Sequence, residues 1–179
     1  MKTKLNYRLA VIFMIGFTAL SFTNGSAQEK SKKQLKEEKK LEKQNQIVLL
    51  IDAKEFVFVA NRVQPQEGRS INLTSDYFAE FHPDLIKCDL PFFGRAFSAG
   101  YGNDHGIKFE GKPTVYSIEK NKKNYTIKIE IRGATDTYSI MVLVYFEGSA
   151  TLSINSNNRS SISYDGDIKA VKKNKEVEN

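Results

Sequence analysis

Residues 125–132 alternate without a fault: Tyr125, Ile127, Ile129 and Ile131 are apolar, while Thr126, Lys128, Glu130 and Arg132 are polar or charged. A period of two puts one set on a core and the other in water, which marks a half-buried strand of an antiparallel sheet. The same texture, rich in β-branched and aromatic residues, fills most of the chain. Strands are expected over 55–63, 71–74, 77–81, 85–90, 107–110, 114–119, 125–132, 137–146, 150–155 and 159–164. Turn formers separate them: Gln66-Glu67-Gly68, His82-Pro83-Asp84, Gly111-Lys112-Pro113, Glu147-Gly148-Ser149, Asn157-Asn158 and Asp165-Gly166. No interval among them is long enough for helical crossovers. The pattern predicts a mainly β chain with an N-terminal helix. Its core is a single antiparallel β-barrel or sandwich of about eight strands, lipocalin-like if it closes.

The start of the chain carries an address. Lys2, Lys4 and Arg8 form a basic n-region, residues 9–22 are apolar apart from Gly16, Thr18 and Ser21, and Gly25-Ser26-Ala27 supplies small residues for cleavage. This is a secretory signal peptide over residues 1–27, shorter in its apolar run than the ~20 residues of a spanning helix. No cysteine stands near the cleavage site, so a lipid anchor is not expected. The mature protein is expected to be soluble, in the periplasm or outside the cell, and not membrane-spanning.

Residues 28–46 form a polar, charged leader, helical or disordered; residues 31–53 read as one helix whose apolar end, Ile47 to Ile51, docks on a β domain over 47–170, the alternative being that this apolar block is a strand. A charged tail follows over 171–179. The formal charge of +6 belongs to the ends: from residue 47 onward there are 17 basic and 17 acidic side chains. A neutral domain does not fit nucleic-acid binding. The single cysteine, Cys88, has no internal disulfide partner and is expected to be a buried, small apolar residue. With only His82 and His105 beside it, neither a thiol catalyst nor a zinc set is implied.

The middle of the chain is unusual. Residues 90–102 place Phe92, Phe93, Phe97 and Tyr101 among one proline, three glycines and Arg95. This reads as an irregular connection pinned to the core by its aromatics, with Phe92, Phe93 and Phe97 mostly buried. Arg95 either ties the loop down or anchors a carboxylate ligand. Phe92, Phe93, Arg95, Phe97 and Tyr101 are therefore the candidate ligand-binding set. Asp104 and His105 read as turn chemistry rather than an acid–base pair.

Residues 56–65, Leu90-Pro91-Phe92-Phe93-Gly94-Arg95-Ala96, Gly106-Ile107-Lys108-Phe109, Asn158-Arg159-Ser160 and Ile162-Ser163-Tyr164-Asp165-Gly166 fall in the order expected of another group of proteins. Over residues 49–168 the chain resembles domain-of-unknown-function family 4251, found in exported proteins of Bacteroides-like bacteria. The resemblance implies an exported domain and carries over no activity, cofactor or catalytic residue. No nucleophile elbow or phosphate loop is present. The sequence favours a non-enzymatic exported domain that binds a small apolar ligand or an envelope partner. The alternative is a structural or interaction protein with a filled core; a glycan-acting enzyme is the remotest reading.

Overall fold

The computed structural model describes residues 31–97, 106–133 and 136–172. The chain divides into two compact units, Met1–Glu37 and Glu38–Asn179. The first contributes to the described residues only the opening turns of helix α1 (Lys32–Ala53). Ser31 caps that helix: its Oγ accepts from the Gln34 amide at 3.3 Å, and Gln34 Oε1 accepts from the Ser31 amide at 3.0 Å. This reciprocal pair satisfies two donors that a helix start leaves open.

In the second unit, α1 stays exposed until its last turns, where Ile47 and Ile51 are buried. Their spacing of four puts both on one face. The helix stops where Lys54 turns left-handed (φ 56°), with Lys54 N bonded to Ile51 O and Glu55 N to Leu50 O. That double closure caps the final carbonyls.

Nine antiparallel strands follow: β1 (Phe56–Pro65), β2 (Ile71–Phe81), β3 (Ile86–Pro91), β4 (Gly106–Gly111), β5 (Pro113–Lys120), β6 (Asn124–Arg132), β7 (Thr137–Tyr145), β8 (Ser149–Ser156) and β9 (Ile162–Lys169). The sheet runs β4-β3-β2-β1-β9-β8-β7-β6-β5. Its two end strands are consecutive in the chain, with only Lys112 between them. β4 and β5 are thus one run of chain bent at Lys112, bonded to β3 on one side of the bend and to β6 on the other. Counted so, the unit is an up-and-down barrel of eight strands, nearly closed, with β1–β9 as the ladder that joins its ends. Pro113 brings no amide proton to the bend, and the β5–β6 register slips between Pro113 and Val115.

Inward positions follow the period of two. Phe56, Phe58 and Ala60 face the core from β1; a bulge at Asn61 then moves the inward phase to Val63. β9 was expected to end at Asp165-Gly166; instead it continues to Lys169, with Ile162, Tyr164, Gly166 and Ile168 inward. The reason is steric. A Cβ on Gly166 would collide with the Val59 carbonyl oxygen and stand 2.9 Å from its carbon, so only glycine lets β1 approach β9 this closely. Residues 71–74 and 77–81, expected as two strands, are one, because Ser75 and Asp76 continue β2 with their side chains exposed.

Among the described residues the barrel interior is closely packed. At the helix end, Phe56 stacks on Phe81 at 4.6 Å and Tyr125 meets Phe146 edge-on at 5.6 Å. Ile47 of α1 reaches the turn at Gly148. A side chain bordering a water-sized void exposes area to it. Phe56, Phe58, Val63, Phe81, Ile86, Leu90, Ile127, Val142, Leu152 and Tyr164 expose none.

Candidate functional site

At the end of the barrel opposite α1, the chain leaves β3 at Pro91 and passes through residues 92–97. Phe92 is half-buried, and the Arg159 guanidinium carbon lies 5.1 Å from its ring centre. Gly94 then passes so close that a Cβ would run into Ser160 Oγ and stand 2.6 Å from Phe92 Cζ. The next residues are tied to residues 158–160 through the backbone. Arg95 N donates to Ser160 Oγ at 3.0 Å, Ser160 N to Arg95 O at 2.9 Å, and Phe97 N to Asn158 O at 2.8 Å, with a β-bridge between Ala96 and Arg159.

Backbone ties of this kind leave the side chains to face outward. Phe93 is 48% exposed and Phe97 67%. This corrects the expectation that aromatic side chains pin the stretch: only Phe92 covers the core, and Gly94 and the pairing with residues 158–160 do the holding. Arg95 contributes its main chain to that pairing, while its guanidinium, 77% exposed, meets Glu67 Oε2 at 2.9 Å. Glu67 comes from the β1–β2 turn. Together Gln66, Glu67, Phe93, Gly94, Arg95 and Ser160 line a surface concavity of about 240 Å³. Phe92 lies beneath it and Phe97 stands on the same strip of chain. Tyr101, Asp104 and His105 lie outside the described residues.

Three polar groups organise this end of the barrel, and sequence reasoning singled out none of them for that role. Arg159, buried, donates from Nη1 to the Gly106 carbonyl on the edge of β4. Asp136, also buried, accepts from Thr137 N at 2.8 Å, Asn157 N at 3.1 Å and Ser156 Oγ at 2.5 Å, fixing the start of β7 to the end of β8. Tyr164, inside, donates to Pro91 O at 2.8 Å. Burial pushes its phenol well above the ordinary tyrosine range. The sequence marked Arg159 only as part of a matched triplet between turn residues.

Cys88 faces the core from β3, and burial, with Asp89 adding, holds its thiol far above the usual range. His82 pairs with Glu80 at 2.6 Å at the end of β2. Among the described residues no group of three or more His, Cys, Asp or Glu side chains is placed to hold a metal ion, and no helix is long and apolar enough to cross a membrane.

Among solved structures, the chain is similar to a DUF4251 family protein from Bacteroides eggerthii DSM 20697, with 20% identity over 72% of this chain and 87% of that one and a TM-score of 0.58. At that identity the likeness carries the fold alone. No curated protein matches the chain. The sequence profile described as "Domain of unknown function (DUF4251)" matches residues 38–168, from within α1 to one residue short of the end of β9. This chain belongs to the DUF4251 family.

Proposed function

We propose that this protein is an exported, non-enzymatic binding domain that takes an envelope partner or ligand on the rim formed by residues 92–97, not inside the barrel. One observation carries the reading. A backbone fixed by three hydrogen bonds to residues 158–160 presents Phe93, Arg95 and Phe97 outward above a closely packed core. A backbone already fixed need not be ordered on binding, and aromatic and arginine side chains dominate interface energetics. The side chains that expose no area inside the barrel favour this rim over an apolar ligand in the interior. Export rests on residues 1–27, and the binding rather than catalytic role rests on what the rim offers: an ion-paired arginine, two phenylalanines and a serine hydroxyl engaged by the backbone.

The test is recovery from the native host. Parent protein and a Phe93→Ala/Phe97→Ala variant are isolated after crosslinking, and retained proteins and small molecules are identified by mass spectrometry. The parent should begin at Gln28 and retain a companion that the variant loses. Equal retention by both removes the rim from consideration, and a soluble form beginning at Met1 removes export.

A further inference from the structure

The geometry points to a carboxylate joined to an apolar body, one residue-sized group in all, as what the concavity beside Arg95 takes up, with Glu67 as its built-in competitor. This deepens the rim reading and rests on it. The Arg95 guanidinium has five donors in a planar fork that matches a carboxylate. Among the described residues its one partner is Glu67 Oε2, at 2.9 Å. Both side chains are mostly exposed, at 77% and 72%, and ion pairs between exposed groups contribute little. An external carboxylate can therefore replace that of Glu67 at small cost. The internal pair shows the kind of anion the fork accepts.

The remaining lining restricts the choice further. Ser160 Oγ accepts from Arg95 N, which leaves its own proton to donate. Phe93 supplies an exposed apolar wall to the same concavity. A purely apolar ligand would strip water from Arg95 and Gln66 with nothing in return. A small inorganic anion would leave Phe93 unused. A dianion such as phosphate would face one arginine already balanced by Glu67. A volume of about 240 Å³ admits a single ring or branched chain with its carboxyl group, less than a drug-sized pocket holds. Two sources share this chemistry: a free carboxylic acid, and the C-terminal residue of a peptide.

The probes are 3-phenylpropionate and its amide, and acetyl-Gly-Phe as the free acid and as the amide, titrated into the full mature chain and followed by chemical-shift changes. The acids should bind at least tenfold more tightly than the amides, and the preference should fade as salt is raised. Arg95→Gln should abolish the preference. Glu67→Gln should tighten the acids severalfold and leave the amides alone. Phe93→Ala should weaken acids and amides together. Binding of the dipeptide acid without phenylpropionate assigns the site to chain ends; binding of both assigns it to the acid group with any apolar body. Equal binding of acid and amide, a preference that survives Arg95→Gln, or no binding of either acid at millimolar concentration overturns the inference. Should the Phe93→Ala/Phe97→Ala variant lose its native companion while acids and amides behave alike, the rim reading stands and the carboxylate assignment falls. All four positions are exposed or at the surface, and matching thermal melts confirm that each variant is folded.

Discussion

The closure of the barrel makes a sharp prediction at Gly166. Its neighbours in register are Ala60 on β1 and Ala150 on β8, so it sits where the chain's first and last strands meet. Gly166→Ala adds one methyl group. Burying it would contribute about 0.8 kcal/mol, and the stiffer unfolded chain another ~0.4–1 kcal/mol. Against this stands a collision with backbone. The Cβ would overlap the Val59 carbonyl oxygen, lie 2.9 Å from its carbon and 3.0 Å from Phe58 Cζ. Neither carbonyl atom can rotate away, so β1 must draw back from β9. Overpacking costs about 1–3 kcal/mol. Each ladder group left buried and unpaired costs about 1–3 kcal/mol more, and at least one pair around Ala60–Gly166 is at stake. The net loss should centre on about 2.5 kcal/mol, a sizeable part of the 5–15 kcal/mol typical of a domain. Urea unfolding reads it as a lower midpoint. Amide exchange should quicken in β1 and β9 before β6 and β7. A midpoint equal to the parent's, or exchange that quickens everywhere alike, would refute the claim that glycine is required for closure.

Three further outcomes follow from burial. Phe58→Ala, at a side chain with no exposed area, should lose about 3–5 kcal/mol in denaturant melts, whereas Phe93→Ala should lose less than ~1 kcal/mol; similar losses would show that the rim packs more tightly than its exposure implies. The Cys88 thiol stays protonated in the fold while the unfolded thiol ionises near pH ~8.5, so stability should fall by up to ~1.4 kcal/mol per pH unit above that value, and Cys88→Ala should remove this first alkaline step; a pH profile unchanged by the substitution would contradict it. Deleting residues 29–43 should alter stability by less than ~1 kcal/mol, since the described part of that segment is exposed along its whole length, and a larger shift in the melting midpoint would show that it packs.

Period-two alternation made most of the barrel legible. It located β6, β7 and β8 to within a residue or two, because each of those segments has one buried face, while the helix ending at Ala53 reads from its run of helix-forming residues and not from any periodicity. Four features escaped it, each set by partners distant in sequence. Gly166 looks like a turn residue until Val59 is known to lie against it. Lys112-Pro113 looks like a break between strands, yet the same run of chain serves both β3 and β6. Within residues 92–97 the aromatic stretch is irregular, as read. Composition could not say that Phe92 would point inward while Phe93 and Phe97 point out, since Gly94 and the Ser160 backbone decide that. Arg159 gave no local signal at all, because its partner is the Gly106 carbonyl, 53 residues away.

The bend between β4 and β5 also bears on how the protein keeps to itself. A sheet with free edges invites strand addition and aggregation. Among the described residues each edge is half a strand: β4 pairs with β3 alone, β5 with β6 alone, and the two remaining flanks lie on opposite sides of one run of chain. The β4 flank already gives the Gly106 carbonyl to Arg159, and β5 begins with a proline and holds Tyr116 under the Lys54 ammonium at 4.7 Å. An incoming extended segment could follow either flank for only a few residues before crossing the bend. The described edges of the barrel are therefore a poor template for cross-strand assembly.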